Sequence, residues 1–168
     1  MITVKVKKLH EDAFIPAKAY VEDAGFDLHA LEDVVVPPGE TVKVRTGLAF
    51  EISNGYEMQV RPRSGVSLET KLRVVLGTVD SQYRGEVGVI VDNISLMTDF
   101  QNFANHVTLI NNETRHSEEV VPWETYLIRK GERIAQAVIQ KIPTINLVEV
   151  DELSNSDRGE NGFGSTGV

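Results

Sequence analysis

Hydrophobic residues in this chain recur at every second position. Val4 and Val6 alternate with Lys5 and Lys7, and Val42 and Val44 alternate with Thr41, Lys43 and Arg45. A period of two gives an extended strand one face for a core and one for water. Turn signals separate the runs. Pro37-Pro38-Gly39-Glu40 follows Val34-Val35-Val36, and Ser53-Asn54-Gly55 lies between residues 48–52 and 56–60, where Asn-Gly predicts a tight hairpin turn. Short strands at this spacing predict an all-β sandwich or barrel rather than alternating strands and helices. Two stretches break the pattern. Residues 66–71 predict a short helix after Ser64-Gly65. Residues 99–107 place Phe100, Phe103, Ala104 and Val107 on one helical face with Thr98 as N-cap, so an amphipathic helix is expected there.

The chain has 168 residues, enough for one domain with a sizeable core, and 41% of them are hydrophobic, which excludes wholesale disorder. Its net charge of −8 argues against a general nucleic-acid or anionic-membrane binder, though a few placed arginines can still hold a small anion. Cysteine is absent, so disulfides, thiolate nucleophiles and cysteine zinc sites are excluded. No window approaches the roughly 20 apolar residues of a membrane span, and the N-terminus lacks a signal-peptide core. A soluble cytoplasmic protein is the expectation. Its single β-rich domain is expected over 1–153, followed by a polar, Gly-rich arm over 154–168 that carries Phe163 and is too polar to bury a core of its own.

Five segments carry candidate chemistry: Ala24-Gly25-Phe26-Asp27-Leu28, Arg61-Pro62-Arg63-Ser64-Gly65, Gly77-Thr78-Val79-Asp80-Ser81-Gln82-Tyr83-Arg84-Gly85, Gly131-Glu132-Arg133-Ile134-Ala135-Gln136, and the run from Arg158 to Gly167. Singly, each reads as a turn or a loose terminus. Together they supply more. Arg63-Ser64-Gly65 offers a guanidinium, a hydroxyl and an unobstructed backbone N–H ahead of a short helix, the parts of a phosphate cradle. Arg158 with Gly164-Ser165-Thr166 repeats that kit on a flexible segment, and two kits point to a polyphosphate. Asp27 and Asp80 add carboxylates for a Mg²⁺ shell and a general base, and Mg²⁺ needs few protein ligands because it keeps its waters.

In this order the five segments resemble the five motifs of the trimeric dUTPase family, from residue 24 to residue 167. The resemblance implies a jelly-roll subunit, a homotrimer with shared active sites, Mg²⁺ as cofactor, and hydrolysis of dUTP to dUMP and pyrophosphate. It implies that Asp80 activates the attacking water and that Tyr83 packs under the deoxyribose and refuses a 2′-hydroxyl. A hairpin over 78–83, with Thr78 and Val79, should read uracil through backbone groups. Arg63, Ser64, Gly65 and Gln136 match phosphate-holding positions. Asp27 matches a residue that reaches the metal indirectly, through water. In the arm, Phe163 should stack on the base while Arg158, Gly164, Ser165 and Thr166 grip the γ-phosphate.

Two features depart from the family pattern. Val74 stands where many members carry Asn, six residues before the catalytic Asp. The stretch over roughly 95–122 is an insertion resembling those of phage dUTPases, readable as surface elaboration or as a dock for a repressor-type protein. His10, His29, His106 and His116 lack metal-ligand spacing, so surface or packing roles are expected. The competing readings are a dCTP deaminase, which shares the fold, and a dUTP-sensing regulatory protein without turnover.

Overall fold

A computed structural model of the chain describes residues 2–18, 20–96 and 102–161. Among these, strands dominate: β1 Lys5–Lys8, β2 Phe26–His29, β3 Val34–Val36, β4 Thr41–Arg45, β5 Leu48–Glu51 and β6 Tyr56–Pro62. A six-residue helix follows, α1 Ser64–Glu69. Then come β7 Leu72–Val74, β8 Gly77–Val79, β9 Gly88–Asn93, β10 Phe103–Leu109, β11 Thr114–Pro122, β12 Tyr126–Ile128 and β13 Arg133–Lys141. They form sheets in the orders β1-β5, β11-β10-β12-β3, β2-β13-β6-β8 and β4-β9-β7. The expected all-β jelly-roll class holds. Alternate strand residues such as Leu28, Val44, Met58, Val89, Val91 and Ile134 fill a common core. Each such side chain, fully buried, contributes about 1.5–3 kcal/mol.

Three expectations are corrected. The strands on either side of Ser53-Asn54-Gly55 do not pair as a hairpin: β5 pairs with β1, while β6 pairs with β13 and β8. The turn is tight, with Tyr56 N–H on the Ser53 carbonyl at 3.2 Å and Gly55 at φ +81°, but it passes the chain between sheets. The short helix begins at Ser64 rather than Val66, so Ser64 and Gly65 occupy its first turn.

The third correction concerns residues 99–107. Residues 98–101 lie outside the described residues, and Phe103 through Val107 belong to strand β10, not to a helix. The register explains why the pattern misled. Ala104 faces Val121 but His106 faces His116, so residues 117–120 of β11 lie opposite Asn105 alone. This bulge resets the alternation. Ala104 and Val107 are then buried three positions apart, as in a helix, although the chain is extended. Val107, Leu109 and Leu127 form a small second core under the β10–β11 hairpin, packed by Val121.

Candidate active site

The central sheet brings three of the five segments to one corner. Gln136 on β13 lies opposite Asp27 on β2 and opposite Arg61 on β6, so all three share a sheet face. Arg63 leaves the end of β6 as the N-cap of α1, its backbone still extended at φ −94°, ψ 135°. Its Nε forms an ion pair with Asp27 Oδ1 at 2.8 Å, and its Nη1 donates to the Arg133 carbonyl at 3.0 Å. Arg133 Nη1 meets the other Asp27 oxygen at 3.3 Å. Gln136 Nε2 donates to the Pro62 carbonyl at 2.9 Å. Ser64 and Gly65 are exposed beside this cluster. A cleft of about 160 Å³ opens next to it, walled by Asp23, Ala24, Gly25, Asp27 and Gln136.

Asp80 belongs to a different cleft, of about 280 Å³, with Thr78, Val79, Tyr83 and Val87 in its walls. The anticipated hairpin over 78–83 is replaced by a shorter device. Thr78 and Val79 lie in β8, which pairs with β6, and Asp80 to Tyr83 form a turn closed by Tyr83 N–H on the Asp80 carbonyl at 3.0 Å. Asp80 is exposed, and Tyr83 is 47% exposed. The Tyr83 hydroxyl donates to the Glu86 carbonyl at 3.1 Å. Glu86 in turn is pinned through its carboxylate, which accepts from Arg45 Nε at 3.1 Å and Gly47 N–H at 2.8 Å. A half-buried carboxylate with charged and backbone donors makes a stiff anchor for the loop.

The two clefts share no wall residue. Val79 faces Met58, so Asp80 falls opposite Glu57 while Arg63 lies beyond the other end of β6. Six strand positions separate those ends, roughly 20 Å at ~3.3 Å per residue. That span exceeds the reach of one triphosphate chain.

The remaining candidates divide. Arg158 is exposed, its Nε donating to the Asn161 carbonyl at 2.8 Å in a local turn, and it touches neither cleft. Phe163, Gly164, Ser165 and Thr166 lie outside the described residues. Among the described residues, regular structure ends at Lys141, and the chain beyond it exposes Ile145, Leu147, Val148, Val150 and Leu153. Val74 is buried in the core through β7 and is not a wall of the Asp80 cleft.

The histidines take packing or surface positions. His29 stacks on Phe14 with ring centroids 5.3 Å apart, and His106 meets Trp123 edge-on at 5.1 Å. Burial pushes the His29 imidazole below its ordinary range, against the pull of Asp27 and with the push of Arg133 and Arg63. Its Nδ1 is buried without a hydrogen-bond partner.

Two residues that the sequence left without a role emerge here. Arg133 lies inside a recognised segment, but nothing in a linear reading shows its contact with Asp27. Glu86 is one acid among many, and only its pairing with Arg45 and Gly47 marks it.

Among the described residues, no group of three His, Cys, Asp or Glu side chains could hold a metal ion. Both Asp27 oxygens are engaged by guanidinium groups. This donor set fits Mg²⁺ only as an ion that arrives on the phosphates and keeps most of its waters, which is the usual habit of Mg²⁺.

Comparison with known proteins agrees with this geometry. The sequence model of the dUTPase family matches residues 11–117 and 120–167. The deoxyuridine 5'-triphosphate nucleotidohydrolase of the bacterium Nautilia profundicola is 45% identical over 166 residues, 98% of each chain. The dUTPase of Staphylococcus bacteriophage 80alpha, solved with dUPNHPP, superposes with a TM-score of 0.92 at 38% identity over 99% of both chains. A mutant dUTPase of S. aureus phage phi11, solved with a structural Mg(II) ion, gives a TM-score of 0.86 at 33% identity over 91% of this chain and 99% of that one.

An all-β jelly-roll subunit with these relatives is a nucleotide-hydrolysing enzyme. The chain belongs to the dUTPase family, and its reaction is the hydrolysis of dUTP. Because the match to a bacterial relative runs end to end, the length of the 95–122 region does not by itself set phage enzymes apart.

Proposed function

We propose that three copies of this chain assemble each active site, with Asp80 as the general base. The observation that carries this reading is the separation of the Asp80 cleft from the Arg63 corner along β6. One copy supplies Asp80 and Tyr83, and a second supplies Arg63, Ser64, Gly65, Gln136 and Asp27. The third closes the site with Arg158, Phe163, Gly164, Ser165 and Thr166. The exposed Ile145, Leu147 and Val150 support such an assembly, since an extended apolar segment calls for a neighbour to cover it.

In this arrangement Asp80 takes a proton from water as its oxygen bonds to the α-phosphorus. The bond from that phosphorus to the bridging oxygen breaks, and pyrophosphate leaves. Removing such a base costs about 10²–10⁴-fold in rate. Tyr83 floors the sugar and Thr78–Val79 backbone groups face the base, where tight backbone also refuses a 5-methyl group. Arg63 and Gln136 orient the phosphates, and arm closure excludes bulk water. Mg²⁺, when bound, neutralises charge on the triphosphate and on the departing pyrophosphate.

The test is pyrophosphate release from dUTP, dTTP, dCTP and UTP with Mg²⁺, parent beside Asp80→Asn, with ammonia release from dCTP followed in parallel. Selective release from dUTP that is lost in D80N supports the reading. Turnover that survives in D80N removes Asp80 as base, and ammonia from dCTP points to a deaminase.

A second activity has its own observation. The β10–β11 hairpin exposes Phe103 by 55%, Trp123 by 53% and Val120 by 63%, beside the bulge bearing Glu118 and Glu119. Phage dUTPases that are its structural neighbours control transfer of virulence genes by a G protein-like mechanism. On this reading the hairpin docks a repressor-type protein. A Phe103→Ser/Trp123→Ala variant should then keep dUTP hydrolysis and lose binding to such a repressor, and unchanged binding would contradict it.

A further inference from the structure

We infer that Arg133 is a positioning residue for the triphosphate: through Asp27 it fixes the Arg63 guanidinium before substrate arrives. The inference rests on the phosphate role proposed for Arg63. An unrestrained Arg side chain loses rotamer freedom when it is ordered on an anion. Here that ordering is done in advance. Asp27 Oδ1 holds Arg63 Nε at 2.8 Å, the Arg133 carbonyl holds Nη1 at 3.0 Å, and Arg133 Nη1 steadies Asp27 at Oδ2, 3.3 Å away. Nη1 is bonded to the Arg133 carbonyl and Nε is paired with Asp27, which leaves donors at the tip of the Arg63 guanidinium for an anion. One carboxylate between two guanidinium groups also leaves the cluster net positive.

A strand irregularity makes this contact. Residues 133 and 136 are three apart and would face opposite sides of a regular strand. The register of β13 against β2 shifts between Arg133 and Ala135, so that Arg133 lies opposite His29 while Gln136 lies opposite Asp27. Since residues 27 and 29 share a face, the bulge delivers Arg133 and Gln136 to the same side. Ile134 and Ala135 are consecutive and both buried, which is the packing cost the bulge accommodates. The Arg133 side chain is 55% exposed, so its ion pair adds little to stability. Its effect is expected in substrate binding.

The experiment is a double-mutant cycle on the full-length enzyme, with KM and kcat for dUTP measured for Arg63→Gln, Arg133→Gln, their combination, and Arg133→Lys. R133Q keeps its carbonyl and loses only the grip on Asp27. Its KM should rise about five- to twentyfold with the melting temperature nearly unchanged, as expected when preorganisation is lost. The combined variant should be no worse than R63Q, because the two act as one unit. R133K, which restores a cation within reach of Asp27, should recover most of the loss. A KM for R133Q within twofold of the parent, or losses that multiply in the combined variant, would overturn the inference. An R63Q enzyme with unchanged KM would instead remove Arg63 from the phosphate site and take the reading of that corner with it.

Discussion

Gly85→Ala tests whether the placement of the Tyr83 ring governs discrimination against ribonucleotides. A Cβ at residue 85 would lie 2.6 Å from Tyr83 Cζ and 3.0 Å from Cε2, with the hydroxyl closer still. Real carbon contacts do not persist at such distances, so one partner must move. The backbone is the stiffer partner, because Glu86 is tied to Arg45 and Gly47 and Val87 N–H donates to the Leu48 carbonyl at 2.8 Å. The half-exposed ring therefore swings outward and its hydroxyl leaves the Glu86 carbonyl. Loss of that bond alone is worth about 0.5–1.5 kcal/mol, or roughly two- to thirteenfold in an equilibrium. A displaced ring also stops filling the space under the sugar, so the kcat/KM ratio of dUTP over UTP should fall by about tenfold or more. Tyr83→Phe, which keeps the ring and loses only the hydroxyl, should lose much less of that ratio. Parallel turnover assays on both nucleotides and thermal melts of each variant read these outcomes. A folded G85A enzyme whose dUTP/UTP ratio stays within twofold of the parent would refute the steric account.

Three further outcomes follow from other parts of the molecule. Asn93 is fully buried, its Nδ2 donating to the Val36 and Glu124 carbonyls at 3.0 and 2.9 Å and its Oδ1 accepting from Ser95 N–H at 3.0 Å. Asn93→Ala strands those groups and should cost about 3–5 kcal/mol in denaturant unfolding, with a loss below ~1 kcal/mol contradicting the assignment. Burial lowers the folded-state pKa of His29 from its ordinary 6.5, so the unfolded chain binds the proton more readily. Stability is therefore lost as pH falls from 6.5 towards the lowered value, and His29→Phe should flatten that limb of the melting profile; an unchanged slope would assign it to other groups. Truncation before Arg158 should suppress turnover strongly while size-exclusion chromatography still finds a trimer, and monomers would show that this segment holds the assembly together.

Legibility from sequence followed the range of the forces involved. The strand period in residues 41–45 reports directly on burial, and β4 appears with Val44 in the core and Val42 partly buried against it. Pairing is less local. Asn54-Gly55 makes its turn, yet its flanking strands go to separate sheets, because partner choice depends on surfaces tens of residues away. The 99–107 stretch failed for a related reason. A three-residue register shift in a strand imitates helical spacing, and the shift is set by β11, not by β10 itself. For the candidate site, Asp27, Arg63 and Asp80 stand out by chemical type, whereas Tyr83 and Gln136 enter only through the resemblance to the family's ordered motifs. The carboxylate of Glu86, which fixes the Tyr83 loop, carries no local signal because its partners are about forty residues upstream.

The same distinction separates segments that lie close together in one line of sequence. Order along the chain places Arg63 only seventeen positions before Asp80. In the fold, β6 and β8 run antiparallel, so the loop through α1 and β7 carries the chain back along β6 and leaves the two side chains at opposite ends of the pair. Segments 1, 2 and 4 meet because β2, β13 and β6 are neighbours and their charged residues share a face; segment 3 is separated from them by the length of a strand. On the proposed mechanism, a chain with this topology presents its Arg63 corner to the Asp80 of another copy. Dilution should therefore reduce specific activity wherever it dissociates the assembly, and mixing D80N with R63Q subunits under exchange conditions should restore part of the activity that each lacks alone. No recovery on mixing, with exchange demonstrated, would mean that base and phosphate corner act within a single chain after all.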